Sequence, residues 1–449
     1  MSKKKIIIIT FLILFLFYFL ISYIFFNSNF ISETSLKIIE KTRVFYEYNN
    51  LENLDLFYPF TPFLVNILFR NILISKAFIG AFVVTFMIFF VNNHLITKTL
   101  KIGIPILLVL SPSLIYMINY KSETMLYSFF IILSFYYLLQ FTHSESSFYI
   151  FMFGLFMGFS IFTHVEIILF LPFLFFILFL IFFNLKNAIN YLFISIFPMI
   201  FFLFSLFYLN FIYNGTFNLL NFIIKDFEIY NFFNIWKYFS YEYIIIYIFL
   251  YMMIGRFKRF YTSSYFLISI SPFIVQLIHI FFDKNLGHFL GIIPLLSFII
   301  IFPYTSYFVN EKKFKYFIIF IGILLTVFGY FKFYNSEIKS ESDYLNVLFN
   351  KNSVYYTEEY KIILNNIETG KKIITDNNYS YGIIALYDGN LNDFILSYNR
   401  IYDLAYSNPK YFSDYIIVSK NLEDTFYNYH NISDFYVIKE TKNFYVIKL

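Results

Sequence analysis

Carboxylates and a few histidines are the residues of this chain best suited to chemistry, and they are unevenly placed. Of 13 acids before residue 335, eleven fall in segments that the charge pattern puts on the outer side of a membrane. They are Glu33, Glu40, Glu47, Glu52, Asp55, Glu123, Glu166, Asp226, Glu228, Glu242 and Asp283, while Glu145 and Glu311 fall inside. Acids hardly influence orientation, so the asymmetry does not follow from the rule that orients the spans. It fits solvated outer loops, and equally a polar site at the outer membrane face. In NYKSET, Asn119–Thr124, Glu123 heads a span two residues after Lys121. In THVE, Thr163–Glu166, His164 stands beside Glu166, a pairing that sets an imidazole's protonation or serves structure alone. DKNLGH, Asp283–His288, precedes a later span. Ionisable groups at span ends are functional candidates when they face a bundle interior, although short turns also carry acids to stay hydrated. Glu52 and Asp55, three apart, are too few for an oxygen-only cation site; a divalent cation is conceivable, but no metal or other cofactor is expected. With no Cys, thiolate nucleophiles, Cys-ligated metals and disulfides are excluded.

The elements that must carry these groups are membrane spans. The 449 residues are 59% hydrophobic and 14% charged, against about 45–50% and about 25% in a soluble domain. So little charge cannot cover a water-soluble globule, which leaves a polytopic membrane protein. The 70 Phe and 43 Tyr stand against five Ala, a bias that AT-rich codons explain better than an aromatic-binding surface. A span needs roughly 20 apolar residues. Runs occur at Ile6–Phe26, Ser75–Val91, Ile102–Ile118, Met125–Phe141, Phe148–Phe162, Val165–Phe183 and Tyr191–Tyr213, then at Tyr243–Ile254, Tyr265–Phe282, Phe289–Val309 and Tyr316–Phe333. The first, flanked by Lys3–Lys5, reads as an uncleaved anchor. Lys98, Lys101, Lys186, Arg256, Lys258, Arg259, Lys312, Lys313 and Lys315 lie in alternate loops. The positive-inside rule then places the N-terminus in the cytoplasm and everything after the eleventh span outside.

The tail, Asn335–Leu449, has 15 acids and 11 bases and alternates extended with helical runs. Strands are expected at Lys372–Thr375, Phe394–Tyr398 and Asp414–Val418, and a β-hairpin from Phe435–Lys439 and Phe444–Leu449. Helices are expected at Ser380–Tyr387, Tyr402–Phe412 and Leu422–Tyr429. The fold class is therefore mainly α: a transmembrane domain over residues 1–334 with about 11 spans, followed at 335–449 by a small extracytoplasmic α/β domain.

The first outer loop, Asn27–Tyr58, is patterned as well. In SETSLKIIEKTRVFYEY, Ser32 can cap a helix on which Leu36, Ile39 and Tyr46 fall near one face. Glu33 and Lys37 stand at i,i+4 in the favourable order. An amphipathic helix lying on the membrane surface is expected. YPFTP, Tyr58–Pro62, then returns the chain rigidly to the bilayer.

This order of elements resembles the GT-C superfamily of membrane glycosyltransferases, the fold of protein mannosyltransferases (glycosyltransferase family 39) and aminoarabinose transferases. The resemblance covers Ile31–Leu296 and rests on ISETSLKIIEK through YPFTPFL, on KSETMLYSFF, on GLFMGFSIFTHVEIILFLP and on GHFLGIIPLL. Ser32 stands where that family usually has Asp, and His164 and His288 where it has Arg or Lys. The resemblance implies transfer of a sugar from a polyprenyl-phosphate donor to a glycan, lipid or protein acceptor at the outer face, with inversion. It implies Glu33 and Glu123 as catalytic carboxylates, and Lys121, His164, Glu166, His288 and Tyr58 as substrate-binding residues. Membrane lipids are the other expected partners. The bases, split among membrane-flanking loops, suggest no nucleic acid. A transporter or flippase for a lipid-linked or anionic substrate, or a non-catalytic membrane scaffold, are the competing readings.

Overall fold

The computed structural model describes residues 3–48, 60–94, 97–183, 185–214, 271, 274–275, 311–336, 339–349, 357–397, 399–421, 424 and 432–449. The expected spans at 243–254, 265–282 and 289–309 lie outside these, apart from isolated residues of the second. The described residues are mostly helical. Among the described residues, four helices are long and apolar enough to cross a membrane: Lys4–Asn27, Ile72–Phe90, Ser122–Ser144 and Ala188–Leu209, with a bent pair as a fifth. The chain divides into two compact units.

The first unit comprises Met1–Ile21, Tyr58–Pro62 and Lys76–Leu345. Its elements are most of α1 (Lys3–Asn27), the start of α3 (Phe60–Phe69), most of α4 (Ile72–His94), α5 (Lys98–Val109), α6 (Pro112–Tyr120), α7 (Ser122–Ser144), α8 (Ser147–Thr163), α9 (Leu171–Phe182), α10 (Ala188–Asn214) and α11 (Glu311–Tyr334). The start of α12 (Lys339–Leu348) belongs to it too. Rows of large apolar side chains stay exposed on α1 (Ile8, Leu12, Leu16, Leu20) and α10 (Phe193, Phe197, Phe201, Phe204). At i,i+3 and i,i+4 spacing each row is one helix face, and such faces suit lipid rather than water.

Two of the expected runs are not single straight helices. The run Ile102–Ile118 is α5 and α6, bent by 44°. Pro112 opens α6, where its missing N–H costs nothing, and Ser111 before it is extended (ψ 121°), as a residue preceding proline must be. The run Val165–Phe183 begins as a 3₁₀ turn, Val165–Phe170, and becomes α9 only at Leu171, just before Pro172. The GLFMG run of α8 is a packing device. A Cβ on Gly154 would overlap the carbonyl oxygen of Ser195, and one on Gly158 the ring of Phe202, both on α10. Small residues four apart let the two helix backbones approach closely.

The second unit comprises Ser22–Phe57, Phe63–Ser75 and Asn346–Leu449. Here α2 (Glu33–Tyr48), which follows α1, packs against α14 (Asn377–Leu386) of the tail. The tail also holds α13 (Glu358–Leu364), α15 (Tyr402–Ser407) and α16 (Pro409–Phe412). Its strands are β1 (Ile373–Thr375), β2 (Phe394–Ile395), β3 (Tyr415–Ser419), β4 (Val437–Glu440) and β5 (Phe444–Lys448), in the order β2-β1-β3-β5-β4. β1 pairs in parallel with β2 and β3, whereas β3–β5 and the expected β4–β5 hairpin are antiparallel. Ile374, Ile395, Ala405, Ile416, Val418 and Ile447 form its core. The single apolar face expected for α2 is corrected: Leu36, Ile38 and Val44 are buried, and Ile39 only half so. Besides packing on α14, α2 is tied to α3 by Asn66, which donates to Thr42 Oγ1 at 2.8 Å. A helix packed on more than one side buries more than one stripe.

Candidate functional site

Two groups of ionisable side chains stand out, one in each unit. In the first unit the centre is a residue that hydropathy alone hides. Lys76, one turn into α4, is buried and donates from Nζ to the carbonyl oxygen of Asn119 at 2.6 Å. Glu123, buried in the first turn of α7, acts on it electrostatically. Asn119 is held in turn, donating from Nδ2 to the Ile115 carbonyl at 2.7 Å. An ammonium cannot be buried among apolar spans without such partners. The pair thus makes a polar point at the α6–α7 junction, where the chain turns through Lys121 (φ −130°, ψ 58°). A lone Lys in the apolar run Ser75–Val91 was the available signal.

Along α7, the ring of Tyr127 meets the His164 ring edge-on at 5.0 Å. His164 is buried and ends α8 in an extended conformation, its N–H on the Ser160 carbonyl at 2.8 Å. Beside it Thr163 is hydrogen-bonded to Thr61 at 3.1 Å, fixing the start of α3 to the end of α8. The backbone of Glu166 lies in the 3₁₀ turn, while its side chain, Tyr58 and His288 lie outside the described residues.

Lys121 acts electrostatically on a different carboxylate. Glu341, on α12, is buried and accepts a hydrogen bond from Ser336. Burial pushes its carboxyl up to about 7, against the pull of Ser336, Lys332 and Lys121. Tyr116 donates from its hydroxyl to Ser340 Oγ at 2.9 Å and packs edge-on against Tyr344 at 5.3 Å.

In the second unit the centre is Glu33. Ser32 caps α2 as expected, its Oγ accepting from the Ser35 N–H at 3.1 Å. Lys37 lies 2.8 Å from the Glu33 carboxylate, as the i,i+4 spacing requires. Tyr381, on α14, is hydrogen-bonded to Glu33 and to Tyr360 of α13. Burial first, then Tyr360 and Glu33, push the Tyr381 phenol far above its ordinary range. The Lys37 ammonium lies 4.8 Å from the Tyr381 ring centroid. No sequence pattern pointed to Tyr381 or Tyr360, because they lie more than 300 positions from Glu33. Among the described residues no group of three or more His, Asp or Glu side chains could hold a metal ion; Glu52 and Asp55 lie outside them.

A solved structure aligns with the chain over 97% of both, with a TM-score of 0.58. The fold is similar to that of ArnT. That ArnT structure, from Cupriavidus metallidurans, is a crystal structure bound to undecaprenyl phosphate. At 11% identity the likeness is one of fold. No protein-family model matches the sequence, and no curated protein does. The long apolar helices, with their exposed apolar faces, place this chain in a membrane.

Proposed function

We propose that this protein is a membrane glycosyltransferase that moves a sugar from a polyprenyl-phosphate carrier to an acceptor at the outer face, with inversion. The observation that carries the reading is the end-to-end likeness to a fold solved with undecaprenyl phosphate. In the proposed reaction a carboxylate takes the proton of the acceptor hydroxyl. The acceptor oxygen then attacks the anomeric carbon as the bond to phosphate breaks, and the phosphate leaves with the electron pair. Glu33 is the proposed base, at the exposed start of α2. Lys76 is the proposed cation for the phosphate, with Lys121 and His288 as further candidates. Glu123 balances the Lys76 ammonium when no phosphate is present. Fixed cations beside a leaving phosphate stabilise the charge that develops there.

The test uses the full chain in lipid nanodiscs with a panel of undecaprenyl-phosphate-linked sugars, reading release of undecaprenyl phosphate. Turnover that Glu33→Gln abolishes, with insertion intact, supports the reading. Binding of undecaprenyl phosphate without turnover on any sugar of the panel favours a flippase or scaffold instead.

A further inference from the structure

The Glu33 carboxylate is not held by its own helix alone. Lys37 approaches it from α2 at 2.8 Å, and the Tyr381 hydroxyl reaches it from α14. Behind Tyr381 stands Tyr360, whose own surroundings are built to place it. Its ring lies against the Cα of Gly382, where any Cβ would collide with it. Phe444 of β5 meets the same ring edge-on at 6.0 Å. A tyrosine hydroxyl has one proton, so a Tyr381 that donates to the carboxylate must accept from Tyr360. The order of donation runs Tyr360 to Tyr381 to Glu33. Among the described residues, the charged and titratable groups around this point include Lys37 on α2, Tyr381 on α14, and Tyr360 with Glu359 on α13. Close by, Lys361 donates from Nζ to Asn29 Oδ1 at 2.5 Å, tying α13 to the chain just before α2.

We propose that Tyr381, aligned by Tyr360, is a positioning residue for Glu33: the C-terminal segment supplies the hydroxyl that keeps this carboxylate ionised and oriented to take a proton. The inference rests on the reading of Glu33 as the base. An ionised carboxylate has about four acceptor sites. Lys37 and Tyr381 occupy two of them, so an acceptor hydroxyl can still bind. A hydrogen bond donated to the charged form favours that form. Without it the carboxylate would hold its proton to higher pH and lose a fixed direction.

The test separates the inference from the reading it rests on. Carbodiimides couple to protonated carboxyls, so the pH midpoint of labelling at Glu33, read by peptide mass in the full chain in nanodiscs, follows its titration without any substrate. Tyr381→Phe is expected to raise that midpoint by about one pH unit, the size of one lost hydrogen bond to a charged group. Tyr360→Phe, which leaves Tyr381 in place, is expected to raise it less. The acid limb of turnover on the undecaprenyl-phosphate-linked sugars should move by the same amount as the labelling midpoint. Unmoved midpoints in both variants overturn the role of Tyr381. Full turnover by Glu33→Gln overturns the reading of Glu33 instead, whatever the labelling shows.

Discussion

Arg43 donates a hydrogen bond from Nη1 to the carbonyl oxygen of Tyr387, 344 positions further along the chain, at 2.5 Å. The same guanidinium reaches the Ile384 carbonyl at 2.8 Å and the Gly389 carbonyl at 2.9 Å. These oxygens sit at and beyond the end of α14, where a helix has no N–H left to offer its last carbonyls. A cation is also favoured there by the helix dipole. One side chain of α2 thus closes a helix of the tail.

Arg43→Ala leaves those carbonyls without this donor, and the second unit should lose about 2–4 kcal/mol, the cost of breaking a part-buried charged network. Arg43→Lys should recover only part of the loss, because an ammonium cannot span three acceptors as a planar fork does. Thermal unfolding of the detergent-solubilised protein and the rate of proteolysis in the tail would measure both. Equal stability of all three proteins would refute the account.

Lys76→Met removes the buried ammonium but keeps its length, so the helices should still pack. Undecaprenyl phosphate binding in nanodiscs is expected to weaken roughly 10–100-fold, the loss of about 1.5–3 kcal/mol for a hydrogen bond to a charged group. Glu123→Gln should have a different effect, because it strips the lysine of its counter-charge and leaves the cation more available to phosphate. Tighter binding in Glu123→Gln with weaker binding in Lys76→Met is the signature to look for.

Gly154→Ala and Gly158→Ala both overfill the contact of α8 with α10, but not equally. The first new methyl meets the backbone carbonyl of Ser195, which cannot step aside, and the second meets the Phe202 ring, which can rotate. Overpacking costs about 1–3 kcal/mol. We expect Gly154→Ala near the top of that range and Gly158→Ala near the bottom, read as the melting temperature in detergent. The reverse order would show that the helices separate rather than hold their spacing.

Glu341 makes stability depend on pH. Its carboxyl is raised from 4.5 to about 7 by burial, so between these values the folded chain binds a proton that the unfolded chain has released. The stability tied to this group is complete below pH 4.5 and is lost as pH rises through about 7, by an amount on the order of 3 kcal/mol at most. Glu341→Gln should flatten the melting temperature across this window and raise it at pH 8. A melting temperature at pH 8 no higher than that of the parent would mean that solvent reaches the carboxylate.

Several elements were legible because their cause is local. A run of apolar residues must leave water, so α1, α4, α7 and α10 lie where hydropathy places them. Ser32 caps α2 and Glu33 meets Lys37 because those groups are three and four residues from their partners. The β4–β5 hairpin follows from two extended runs about a short polar turn. The bend between α5 and α6 was legible too, at Ser111-Pro112, but an average over an apolar run passes over a proline.

What the sequence by itself determined is therefore the membrane character, the positions of these spans and the local caps and pairs, all set by backbone chemistry and side-chain spacing within a few residues. Only the tertiary structure decided what surrounds each charge. That Lys76 rests on Asn119 and Glu123, that Arg43 closes α14, and that Tyr381 holds Glu33 all depend on segments brought together by packing. The reason is physical: burying a charge demands a partner, yet any distant polar group can supply it, and which one does depends on how the apolar surfaces between them fit.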